Sequence, residues 1–126
     1  MTKDELKSAA MSMLDVAYCP YSRFPVGAAL ECADGTVYTG CNVENGAYSA
    51  CICAERTAMV KAVSEGKRKF KRIAVVAKTA DYCVPCGECR QVMNEFSPDM
   101  EVICMNEAGD DITLKLSELL PHGFRL

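Results

Sequence analysis

Histidine is nearly missing from this chain. His122, between Pro121 and Gly123, is the only one among 126 residues, and it reads as a surface residue rather than a metal ligand. No apolar run approaches the roughly 20 residues that cross a bilayer, so no membrane partner is expected. Residues 1–12 carry Lys, Asp and Glu where a secretory leader has an apolar centre. Positive charge is not concentrated either. The formal net charge is −3, and Lys67-Arg68-Lys69 with Lys71-Arg72 is the one basic cluster. Such a run reads as the capping of a solvated helix end, so no nucleic-acid partner is expected. Internal repeats, low-complexity tracts and linkers are absent. A chain of 126 residues that is half hydrophobic is long enough for one real core, and a single domain over residues 1–126 is expected.

Cysteine, in contrast, is plentiful. Nine is an odd count, so a complete set of intramolecular disulfides is impossible. The composition suits a reducing cytoplasm, where clustered cysteines mean metal or redox chemistry. Four of them fall in Cys51-Ile52-Cys53-Ala54-Glu55 and Pro85-Cys86-Gly87-Glu88-Cys89, and four readings compete. Cys53, Cys86 and Cys89 can hold one zinc ion at three corners and leave the fourth for water, as in a catalytic site. Adding Cys51 closes the site and makes it structural, although a zinc ribbon shows two CxxC pairs and here there is one. Cys86 and Cys89 can instead form a redox dithiol at a helix start. Lastly, all can be buried small hydrophobes, the reading that suits Cys19, Cys32, Cys41 and Cys104. Glu55 puts the catalytic reading first, because a structural site has no use for a carboxylate two residues past a ligand.

Along the chain, Thr2 with Glu5 forms a capping-box pattern, and Leu6, Ala9, Ala10, Met13, Leu14 and Ala17 recur at helical spacing. Two prolines, Pro20 and Pro25, break the helix across Tyr18–Pro25. Phe24 then lies on an ordered connection and reads as a core residue. Val26–Cys32 and Thr36–Cys41 form a hairpin around Ala33-Asp34-Gly35. Beyond it, Asn42 and Glu44 project to one side at period two. They suit either a grip on vicinal hydroxyls or ordinary turn and capping duty. A buried helix follows from Cys53 to near Gly66, with Glu55 roughly 200° round from Cys53. Ile73–Ala77 is a doubly buried strand and Thr79–Pro85 a loop. A third helix spans about Cys86 to Phe96, with Cys86 and Cys89 on one face. Short strands at Val102–Met105 and Ile112–Leu114 and a helical turn at Ser117–Pro121 complete the order. The alternation predicts an α/β fold with a mixed sheet of about five strands and helices on its faces.

Three thiolates over-neutralise a zinc ion. Compensation is expected from two helix N-termini and from Arg56, whose guanidinium either donates to the thiolates or lies on the surface.

The pattern Cys53-x-Glu55 followed by Pro85-Cys86-x-x-Cys89 is similar to the zinc deaminase signature. Further segments carry the likeness over nearly the whole chain: Tyr21-Ser22-Arg23-Phe24-Pro25-Val26-Gly27-Ala28-Ala29-Leu30, Gly40-Cys41-Asn42-Val43-Glu44-Asn45, Arg56-Thr57-Ala58, Arg90-Gln91 and Glu118-Leu119-Leu120-Pro121. The chain resembles the short, three-cysteine, homotetrameric cytidine deaminases. That resemblance implies a three-layer deaminase-like fold and one zinc ion on Cys53, Cys86 and Cys89. It implies Glu55 as the proton shuttle, and Asn42 with Glu44 on the ribose hydroxyls. Phe24 would pack on the base, the backbone of Ala54 would hold the pyrimidine, and Tyr48 would end the binding loop. Phe124 matches an aromatic that reaches into a neighbouring subunit. The activity implied is hydrolytic deamination of cytidine and deoxycytidine in pyrimidine salvage, with a small nucleoside as the only ligand. A carboxylate beside the sugar and the lack of a basic cluster near the motif disfavour phosphorylated substrates.

Overall fold

The computed structural model describes all of residues 1–126. Helix α1 spans Lys3–Ser12. Its capping box is formed in both directions: the Glu5 amide donates to Thr2 Oγ1 at 3.1 Å and the Thr2 amide to Glu5 Oε1 at 3.0 Å. A cap of this kind stabilises the helix by about 1 kcal/mol. The helix stops short of the expected Ala17, and a single 3₁₀ turn, Met13–Asp15, follows it. A competing partner explains the early stop. The Tyr18 amide bonds the Asn42 carbonyl at 3.0 Å and the Tyr18 carbonyl accepts from the Glu44 amide at 2.8 Å, so this backbone is committed to the 42–44 segment instead of a helix.

Strands β1 (Val26–Cys32) and β2 (Val37–Cys41) form the expected hairpin. Gly35 takes φ +90° at its turn, a conformation open to glycine without steric cost. Helix α2 (Ala54–Ser64), strand β3 (Phe70–Ala77), helix α3 (Gly87–Phe96), strands β4 (Glu101–Met105) and β5 (Asp111–Lys115) and the short helix α4 (Leu116–Leu119) complete the order. The sheet runs β2-β1-β3-β4-β5. Only β3 and β4 are parallel, joined through α3, so the sheet is mixed and five-stranded as expected.

Period-two alternation gives the sheet two apolar faces. Leu30, Ile73, Val75, Val102 and Cys104 face α2 and α3, while Ala29, Ala74, Val76, Ile103 and Met105 face α1. Three layers result. Buried Cys32 and Cys104 behave as small hydrophobes, but Cys19 and Cys41 are only half-buried, because they lie on the loop and strand end beside the 42–44 segment. The basic run divides. Arg68 donates to the Val63 carbonyl at the end of α2, as a helix cap should. Arg72 belongs to β3, which starts three residues ahead of the expected Ile73, and its Nε pairs with buried Glu31 at 2.6 Å.

One contact fixes where the second layer begins. A Cβ on Gly40 would clash with the Ala54 carbonyl and lie 2.6 Å from the Ala58 amide, so the first turns of α2 rest directly on the backbone of β2. That seat sets the position of everything at the start of α2.

Candidate active site

Helices α2 and α3 both begin with cysteine at the capping position, where Ser, Thr, Asp or Asn is usual. Neither sulfur caps its own helix. Instead Cys53 Sγ and Cys86 Sγ lie 3.8 Å apart, and Cys89, one turn into α3, brings a third sulfur, all within 4.8 Å of one another. Zinc–sulfur bonds of about 2.3 Å at tetrahedral angles set sulfurs about 3.8 Å apart. The donor set therefore fits zinc, and two helix N-termini direct their partial positive charge at it. Cys51 is not part of the set: its sulfur accepts from the Asn45 amide at 3.3 Å and its thiol donates to the Asn45 carbonyl. The alternative of a closed four-cysteine site is therefore not favoured. All nine cysteines are free, and Cys86 and Cys89 share their neighbourhood with Cys53 rather than standing alone as a dithiol.

Arg56 lies against the thiolates rather than on the surface. Its Nη2 donates to Cys53 Sγ at 3.5 Å and pairs with Glu88 Oε2 at 2.8 Å, while its Nε is buried without a partner. A hydrogen bond from the Cys89 thiol, followed by Arg56, pulls the Cys53 thiol down to about 5 against the effect of burial. Cys89, as donor in that shared bond and buried as well, is pushed upward. Glu55, the second residue of α2, is 4% exposed, and burial raises its carboxyl to about 7, with the Cys53 charge adding to the effect.

A cavity of about 450 Å³ opens over this cluster, lined by Cys53, Glu55, Arg56 and Cys86 on one side and by Phe24, Asn42 and Glu44 on the other. Its size suits a small molecule. Asn42 and Glu44 do share a side, as the alternation predicts. Asn42 Oδ1 accepts from the Val26 amide at 2.9 Å and its Nδ2 donates to the Phe24 carbonyl at 2.8 Å, which leaves one hydrogen and one lone pair for a ligand. Glu44 Oε1 accepts the amides of Tyr21 and Ser22 at 2.9 and 3.1 Å, and Oε2 accepts the Ser22 hydroxyl. The Ser22 hydrogen bond, reinforced by the two amides, holds the Glu44 carboxyl below the ordinary carboxylate value.

Phe24 is 45% exposed at the cavity wall, not in the core. Its place after the Ser22 turn, with its amide and carbonyl both engaged, turns the ring outward. Ala54 is fully buried at the first turn of α2 beside Glu55. Tyr48 opens a one-turn 3₁₀ helix, Tyr48–Ala50, and stands 75% exposed with its ring edge-to-face on Tyr21, centroids 6.0 Å apart. It lines a shallower hollow beside the main cavity, which it shares with Glu44 and Ser22. Phe124 is 64% exposed and touches neither hollow; its carbonyl is held by Gln91 and Asn94 of α3 at 3.2 Å each. Exposed His122 is a surface residue as expected.

Sequence reasoning missed Ser22, Val26, Ile52, Cys83 and Val84 as site residues, all of which line the cavity. Ser22 stands two residues before Phe24 in a loop already singled out, which is the only signal it carried. Cys83 and Val84 looked like plain loop residues.

Comparison with known proteins agrees with this geometry. The model for the cytidine and deoxycytidylate deaminase zinc-binding region matches residues 1–106. A cytidine deaminase of Sporosarcina psychrophila is 50% identical over 125 residues, spanning 98% of this chain and 92% of that protein. A probable cytidine deaminase of Dictyostelium discoideum is 45% identical over 128 residues, spanning 98% and 86%. Among solved structures, the cytidine deaminase from Burkholderia pseudomallei superposes with a TM-score of 0.94 at 48% identity, covering 98% of this chain and 100% of that one.

Proposed function

From the premise that this chain belongs to the cytidine and deoxycytidylate deaminase zinc-binding family, we propose that it hydrolyses free cytidine and deoxycytidine to uridine and deoxyuridine, releasing ammonia. The observation that carries this is the pairing of a buried Glu55 with a three-sulfur cluster on one wall of a cavity whose other wall presents Asn42 and Glu44.

Cys53, Cys86 and Cys89 would hold the zinc ion, with Arg56 and the two helix N-termini offsetting the thiolate charge. Zinc bound there supplies water with a pKa lowered toward 7. Glu55 would move the two protons of the added water in turn, the first to the ring nitrogen and the second to the departing amine, a role worth about 10²–10⁴-fold. Its burial keeps bulk water from competing for that proton. Phe24 offers its face to the base and the Ala54 backbone meets the pyrimidine edge, while Asn42 and Glu44 receive the ribose hydroxyls. Atoms balance as nucleoside plus water to deaminated nucleoside plus ammonia.

Charge argues for nucleosides over nucleotides. Arg56 is the one cation lining the cavity, and it is already engaged with Cys53 and Glu88. Glu44 sets a fixed negative charge on the opposite wall, which repels a 5′-phosphate. Turnover of cytidine should exceed that of cytidine monophosphate, and faster turnover of the monophosphate overturns the assignment.

The same reading extends to a homotetramer acting in pyrimidine salvage in the cytoplasm. What supports assembly is the exposed aromatic pair Tyr21 and Tyr48 at the hollow beside the cavity, together with exposed Val43 and the Phe124 ring left uncovered by its own chain. No helix is long and apolar enough to cross a membrane.

A further inference from the structure

The loop between α1 and β1 is built as a clasp. Arg23 holds φ +56°, a region that residues with side chains seldom enter, and its amide bonds the Cys19 carbonyl at 2.9 Å. This tight turn sends the consecutive amides of Tyr21 and Ser22 to a single oxygen of Glu44, at 2.9 and 3.1 Å. Successive amides converging in this way form an anion-holding concavity. The Ser22 hydroxyl donates to the second oxygen of Glu44 and accepts from the Phe24 amide at 3.1 Å. One oxygen atom thus joins the carboxylate to the backbone that carries the aromatic ring.

We propose that Ser22 is a positioning residue that sets selectivity for the sugar: its hydroxyl aims the Glu44 carboxylate into the cavity and fixes it relative to Phe24. The proposal rests on the reading of Glu44 as the acceptor of sugar hydroxyls. A free glutamate side chain samples several rotamers, and ordering it when a ligand arrives costs entropy. Ser22 removes that cost in advance. With three donors from the protein already on its two oxygens, the carboxylate keeps lone pairs only for a further donor, so the group it selects is a hydroxyl. Tyr21 and Ser22 also make the hollow beside Tyr48 part of the same clasp.

Steady-state kinetics on cytidine and on 2′,3′-dideoxycytidine, which lacks both sugar hydroxyls, test this. Ser22→Ala should raise KM for cytidine about tenfold, the scale of one hydrogen bond to a charged group. The larger part of its loss should appear in KM rather than kcat, and KM for dideoxycytidine should stay where it was. Ser22→Thr, whose methyl group has solvent around it at this exposed position, should restore the preference. Zinc content and melting temperature of Ser22→Ala should match the parent enzyme, which separates positioning from misfolding. Glu44→Gln, measured on the same pair, checks the reading beneath. If Glu44→Gln narrows the preference for cytidine while Ser22→Ala leaves it intact or weakens both substrates equally, the role of Ser22 is overturned and that of Glu44 stands. If Glu44→Gln keeps the full preference, the sugar reading itself falls, and the proposal for Ser22 with it.

Discussion

Glu55 on the helix wall of the cavity and Glu44 on its loop wall are held by opposite means. Glu55 is buried on α2 beside a cysteine that carries negative charge, so its carboxyl is pushed up to about 7. Glu44 is half-buried in a turn that offers it a hydroxyl and two amides, so its carboxyl is held down. Burial disfavours charge and donors favour it; at Glu55 burial outweighs its own amide and the Cys89 thiol, and at Glu44 the donors win. Carboxylates pushed apart in this way take different tasks: the first is suited to moving protons, the second to staying ionised and accepting hydrogen bonds. The helix wall is set by packing against the sheet, and the loop wall by a local network of side chain and backbone.

This contrast can be broken from either wall. The largest effect is expected for Glu55→Gln, which should lower kcat by about 10²–10⁴-fold or more while zinc content by metal analysis stays complete. Loss of the metal together with activity would make Glu55 a structural group. Next comes Gly40→Ala. Its new methyl group meets the backbone of Ala54 and Ala58, and overpacking of this kind costs about 1–3 kcal/mol, read as a lower melting temperature. It should also weaken zinc retention against a chelator, because the start of α2 carries Cys53, whereas the preference between cytidine and dideoxycytidine should survive. The smallest effect is expected for Cys51→Ala on the loop side. That protein should keep its zinc in full, and depletion would return Cys51 to the metal site.

Much of this was legible before any coordinates. The capping box at Thr2 and Glu5 and the two-faced strands each depend on neighbours a few residues away, so spacing alone exposes them; the joining of Cys53 to Cys86, 33 residues on, was implied by the family resemblance and not by spacing. What stayed hidden depends on pairing across the chain. Arg72 finds Glu31 across the β1/β3 ladder, 41 residues off, and so leaves the basic run that local charge had assigned to a helix end. Cys51 faces Asn45 rather than the zinc ligand two residues on, because Cys51 closes a 3₁₀ turn before α2 begins. Phe24 has the hydropathy of a core residue, but the turn around Ser22 faces it outward. Helix α1 ends early for a related reason, since the Tyr18 backbone has a better partner in the 42–44 segment. Local propensity yields in each case to a non-local partner.

The seat of α2 on Gly40 bears on any attempt to retrain the enzyme. Position 40 belongs to an edge strand and is part of neither the cavity lining nor the sulfur cluster, so a library confined to cavity-facing positions would never sample it. Yet a side chain there lifts the cysteine and the acid that follow it together, as a lever lifts both ends of a plank laid across it. Redesign of substrate choice therefore belongs in the clasp, where changes stay local, and the bare backbone at 40 is best left untouched.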